Sequence, residues 1–95
     1  MTDLRKVDVG SDRSLFLDAA RMAIHWQRAS ADLIQRRVRV GFVKAGRLLD
    51  LLEDAGVVGA ANGRPYGQRE VLVPRGERDA ALAELRELTK GSADV

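Results

Sequence analysis

The sequence predicts an α+β, mainly α domain of the winged helix-turn-helix class: three helices, a two-stranded wing and an extra C-terminal helix. Three observations lead there. Residues 29–56, ASADLIQRRVRVGFVKAGRLLDLLEDAG, read as a short capped helix, a glycine turn and an amphipathic helix. Residues 57–73 read as two short strands around a turn-rich loop. Cations gather at the join between the two helices, where Arg28, Arg36, Arg37, Arg39, Lys44 and Arg47 face a single acid, Asp32.

Residues 1–11 are polar and aperiodic. They are expected to form a mobile N-terminal arm, ahead of a winged-helix domain over 12–74 and a C-terminal helix and tail over 75–95. A first helix is expected from residue 12 or 13 to 27, because Leu15, Ala19, Met22, Ala23 and Trp26 recur at helical spacing. Ser11 or Asp12 is placed to cap it. Ser30 is predicted to cap the second helix by accepting from an amide of its first turn, and Asp32 suits the positive end of that helix dipole. Leu33 and Ile34 should point inward, Arg36 and Arg37 outward. This helix should end near residue 37 or 38, with Val40 and Gly41 changing the chain direction.

The third helix is expected over residues 42–55, with Gly56 as its C′ residue. At 100° per residue, Phe42, Ala45, Leu48, Leu49, Leu52 and Ala55 fall on one side. Val43, Gly46, Arg47, Asp50 and Asp54 fall on the other, with Lys44 at the border. A face of that composition can approach a groove closely and still carry donors and acceptors. Val57 with Val58, and Val71 with Leu72 and Val73, look like paired strands, and Pro74 ends the second. After Pro74 a last helix from about residue 77 to 90 sets Ala81, Leu82, Leu85 and Leu88 on one side.

Ninety-five residues make one domain with a single modest core. The net charge of +2 is too small to imply a nucleic-acid partner, but its distribution says more: a basic middle is followed by an acidic tail. The absence of cysteine excludes disulfides and thiolate metal sites. No segment approaches the ~20 apolar residues of a membrane span, and the start lacks the apolar run of a signal peptide. A cytoplasmic domain without membrane contact is expected. An enzyme is the weakest class, because there is one histidine and no GxxxxGK[ST] phosphate loop. No cofactor and no metal are expected. His25, beside Trp26 and with no second ligand type near it, reads as structural.

The run QRRVRVGFVKAGRLLDLLEDAGVVG, followed after a loop by REVLV, closely resembles the C-terminal gamma domain of the FtsK/SpoIIIE family of DNA translocases. The likeness covers about residues 14–73. Its specific part is Gln35, Arg36 and Arg37, then Val40, Gly41 and Phe42, then Ala45, Gly46 and Arg47, then Gly56, Val57 and Val58, then Arg69, Glu70 and Val71. The resemblance implies a double-stranded DNA partner and a module that reads short, oriented, G-rich motifs, directing a translocase in chromosome segregation. It also implies contact, in some members, with a XerD-type tyrosine recombinase. A free-standing regulator or a phage or plasmid factor is the alternative, since the chain carries no motor. In the family the reading residues lie on the third helix, which here offers Val43, Lys44, Arg47 and Asp50. Arg47 and Asp50 match the family's pattern, whereas Val43 stands where many members carry a polar residue. The wing is longer than usual, and the helix after Pro74 extends beyond the usual end.

On that reading the Arg47 guanidinium presents two parallel donors to guanine O6 and N7, a contact worth about 1–3 kcal/mol of discrimination. Asp50 either accepts from a cytosine amino group or orients Arg47 as its i,i+3 neighbour. Val43 is placed to touch a thymine methyl. Ser30, Arg36, Arg37 and Arg39, with Lys44 beside them, suit phosphates, which position without reading sequence. Arg64 and Arg69 in the wing would reach the adjacent backbone or minor groove. The bland alternatives are a solvated arginine face and an ordinary surface pair of Arg47 with Asp50 or Asp54, worth at most ~1 kcal/mol. A protein-interaction winged helix, with Val43, Gly46 and the wing facing a partner, is the other binding class. The leucines of the last helix either pack back on the domain or form an oligomer seam.

Overall fold

The computed structural model describes residues 2–61 and 67–91. Helix α1, Arg13–Trp26, buries Phe16, Ala19, Ala20, Met22, Ala23 and Ile24. The buried stripe is centred nearer Phe16 than expected: Leu15 is only partly buried and Trp26 is exposed. Trp26 stands on the last turn, where the helix has run past the core, and packs edge-on to His25 at 4.9 Å. Gln27 follows in the left-handed region and ties down the helix end, its Nε2 donating to Ile24 O at 2.7 Å and Val73 O at 2.9 Å.

Helix α2, Ala31–Ile34, is capped as its sequence requires: Leu33 N donates to Ser30 Oγ at 3.1 Å. It runs directly into a π-helical turn, Gln35–Arg39, closed by Val40 N donating to Gln35 O at 3.3 Å. The change of direction therefore occurs at Arg39, with φ +62°, and not at Gly41, which is extended at φ −71° and ψ 169°. A left-handed non-glycine residue costs about 1–2 kcal/mol, of which glycine's greater unfolded-state freedom takes back a part. Arg39→Gly is accordingly expected to raise stability by about 0.5 kcal/mol, a gain of a few degrees in Tm by thermal denaturation.

Helix α3, Phe42–Ala55, matches its expected bounds and ends at left-handed Gly56, φ +88°. It buries Ala45, Leu48, Leu49, Leu51, Leu52 and Ala55. Phe42, expected inside, is 68% exposed, because the first turn overhangs the core and Ala45 is the first residue to reach it. The expected wing strands are reduced, among the described residues, to two isolated antiparallel bridges, Val58 with Val71 and Ala29 with Arg69. Gly59 N donates to Glu70 O and Leu72 N to Val57 O, both at 2.8 Å, so Val58 and Val71 face each other as the narrow, non-hydrogen-bonded pair of an antiparallel register. The tip of the expected wing, residues 62–66 with Arg64 and Tyr66, lies outside the described residues.

The segment expected as an N-terminal arm lies along the body of the domain. Val7 and Val9 are buried, and Leu4 packs against the core. Arg5 N donates to Ala55 O at 2.9 Å, while its guanidinium reaches Asp54 O at 3.0 Å and Glu53 O at 3.1 Å. A cation thus occupies the negative end of the α3 dipole and satisfies its last carbonyls. At the other terminus a 3₁₀ turn, Arg75–Glu77, leads into α4, Arg78–Leu88, whose Ala81, Leu82 and Leu85 are buried. Helix α4 packs on α1, and Arg13 caps it by donating to Thr89 Oγ1 at 3.1 Å and Arg86 O at 2.9 Å. The leucine face considered as an oligomer seam is therefore occupied within the chain.

Candidate nucleic-acid interface

The amphipathic pattern of α3 decides which side chains face out. Val43 is 85% exposed, and Arg47 and Asp50 are exposed one and two turns further on. Gly46 lies between them, and a Cβ built there would meet nothing within 4 Å. The result is a ridge with a low centre, flanked by a methyl-bearing residue, a guanidinium and a carboxylate. The Arg47 side chain is 56% exposed, and α4 packs on α1.

The polar partners on this ridge differ from the local pairs that helical spacing predicts. Arg47 does not pair with Asp50 or Asp54; its Nε lies 3.7 Å from Asp12 Oδ2. Lys44 Nζ donates to both oxygens of the same carboxylate, at 2.9 and 3.0 Å. Asp50 instead lies 3.5 Å from Arg69 Nη2, and Glu53 Oε1 accepts from Arg69 Nη1 at 2.9 Å. Arg69, expected to reach outward from the wing, is only 12% exposed and is drawn back onto α3, with a longer contact to Gly59 O at 3.4 Å. It braces the wing base against the outward helix. Its position makes it a support for Asp50 rather than a free cation.

The remaining cations lie before α3. Arg36 pairs with Asp32 at 2.7 Å, with both side chains well exposed, so the contact contributes little to stability. The Arg37 guanidinium sits 5.3 Å from the centre of the Trp26 ring, a cation–π contact worth about 0.5–1 kcal/mol at an exposed site. Arg39 is exposed at the end of the π turn. Ser30 is buried by its capping role, yet it borders a concavity with Arg28, Asp32, Leu33, Arg36 and Gln68. The cations expected to touch phosphate thus reach solvent along one continuous stretch of chain, whereas Arg64 lies outside the described residues. Sequence reading missed Asp12 and Glu53 as partners of this surface. The charge pattern offers no signal for them, because each acts on a residue far from it in the chain.

His25 Nδ1 lies 2.7 Å from Arg78 Nη1 and accepts from it, since a guanidinium only donates. No group of three or more His, Cys, Asp or Glu residues that could hold a metal ion occurs among the described residues. No described helix is long and apolar enough to cross a membrane.

Comparison with known proteins assigns the surface a context. The family described as Ftsk gamma domain matches residues 10–74. A protein named DNA translocase FtsK from Mycobacterium tuberculosis is 44% identical over 79 residues, covering 83% of this chain and 9% of that protein. The protein of the same name from Streptomyces coelicolor is 42% identical over 84 residues, covering 88% of this chain and 9% of its own. That of Tropheryma whipplei is 44% identical over 77 residues, 81% of this chain and 10% of its own length. The chain spans about a tenth of the length of these relatives.

Proposed function

The chain belongs to the Ftsk gamma domain family, and from that membership we propose that α3 binds double-stranded DNA and reads its sequence through the ridge of Val43, Gly46, Arg47 and Asp50. The observation that carries the proposal is the open centre of that ridge. With no side chain at Gly46 and nothing near it, the helix backbone can approach base edges while Arg47 and Asp50 reach past it. Val43 offers methyl contact, and Asp50, steadied by Arg69, offers an acceptor for a cytosine amino group. Arg47 approaches Asp12 through Nε, at 3.7 Å, and its guanidinium supplies the parallel donors for guanine O6 and N7 in this reading. Arg36, Arg37, Arg39 and Lys44 contact phosphates and set the register, and Ser30 supports the α2 end of that contact.

In this reading the domain is the non-catalytic part of a translocase. It recognises short oriented G-rich motifs in the cytoplasm and so directs the motor during chromosome segregation. Contact with a XerD-type recombinase is a second role, favoured by the exposed apolar pair Phe42 and Val43 at the tip of α3. The test is selection of bound sequences from a random duplex pool, followed by titration at several salt concentrations. Neutralising four or five phosphates gives a log–log salt slope of about −4. A flat dependence, or a selected pool with no common motif, removes the reading.

A further inference from the structure

We infer that Asp12 is a positioning residue for DNA recognition, holding Lys44 and Arg47 in place on α3 and limiting their attraction to phosphate. The inference rests on the reading proposed above. Asp12 occupies the N-cap position of α1, where an aspartate ordinarily accepts from the first free helix amides. Here its side chain makes no capping hydrogen bond. Both oxygens turn across to α3, to Lys44 Nζ at 2.9 and 3.0 Å and to Arg47 Nε at 3.7 Å. The carboxylate is only 10% exposed, whereas both cations reach solvent, so the anchor is held while the charges it holds are presented.

The backbone around the carboxylate is fixed as well. Asp12 N donates to Val9 O at 3.0 Å, and Phe16 N donates to Asp12 O at 2.7 Å. Gly10 N donates to Asp8 Oδ1 at 2.9 Å, which closes a turn beneath the ridge. A Cβ built on Gly10 would lie 3.9 Å from Arg47 Nη2, so this turn forms the floor under the guanidinium. Two consequences follow. Rotamers of two long side chains are ordered before DNA arrives, which reduces the ordering cost of base contact. One negative charge also sits beside two positive ones, so a random phosphate must compete with a carboxylate already in place.

The test compares the parent with Asp12→Asn and Asp12→Ser. Both replacements are good N-caps able to take up the amides that the carboxylate leaves, which keeps α1 intact. Binding is measured to a selected duplex and to random duplex across a salt series. The ratio of specific to random affinity is expected to fall by about three- to tenfold. Random-duplex affinity should rise, and its salt slope should steepen by about one. In the free protein, side-chain ¹⁵N relaxation at Lys44 Nζ and Arg47 Nε should show ordered groups in the parent and mobile ones in both variants. Unchanged ratio and slope overturn the inference, as do equally mobile side chains in the parent; neither result touches the proposed function if Arg47→Ala still abolishes base preference. Loss of side-chain order without any change in DNA binding also overturns it, leaving Asp12 a tie between α1 and α3. If Arg47→Ala keeps the parent's base preference, the reading and this inference fall together.

Discussion

Gly56→Ala is expected to lower the folding free energy by about 3 kcal/mol and the melting temperature by more than ~10 °C. Two costs combine. Gly56 holds φ +88°, where any residue with a Cβ loses about 1–2 kcal/mol. A Cβ there would also stand 2.8 Å from the carbonyl oxygen of Asp3, and a backbone atom cannot swing aside as a side chain does. Relieving that contact moves the segment that carries Arg5, which caps α3, and then Val7 and Val9, which fill the core. Overpacking of this kind costs a further ~1–3 kcal/mol. Gly56→Asn separates the two terms. Asparagine tolerates the left-handed region, so an Asn variant as unstable as the Ala variant assigns the loss to the contact with Asp3. An Asn variant near the parent assigns it to backbone conformation.

Features set by local chemistry were legible before the fold was known. The Ser30 cap, the bounds of α3 and its stop at Gly56 depend on neighbours a few residues away. So does the division of α3 into buried and outward faces, which placed Val43, Gly46, Arg47 and Asp50 on one ridge. Features set by distant chain were not legible. Phe42 has the periodicity of a core residue, but the core ends before the first turn of α3. Val7 and Val9 alternate over too short a stretch to announce a packed segment, yet both join the buried core.

The same distinction runs through the site. Helical spacing offers Arg47 one neighbouring carboxylate, Asp50 at i+3, yet Arg47 lies against Asp12 at the start of α1 while Asp50 turns to Arg69. The direction reversal at Arg39 was hidden for a related reason. A glycine two residues away is the natural candidate, but a π turn had already fixed where the chain must bend.

Arg47→Ala is expected to erase most of the preference for selected over random duplex, about a tenfold to hundredfold loss, while random-duplex affinity changes only a few-fold. The magnitude follows from one bidentate contact to guanine, worth about 1–3 kcal/mol. Arg47→Lys separates shape from charge. A lysine keeps the positive charge, and with it the salt slope, but has no planar fork to match O6 and N7. It should therefore lose base preference nearly as far as alanine does. Arg37→Ala provides the contrast, because a phosphate contact weakens every duplex alike and reduces the salt slope by about one. Competition binding with selected and random duplexes measures all three variants on one scale. If Arg47→Lys retains the parent's preference, charge alone is being read and the fork has no role. If Arg47→Ala and Arg37→Ala lose affinity equally on both duplexes, α3 docks on DNA without reading it, and base recognition must reside elsewhere in the domain.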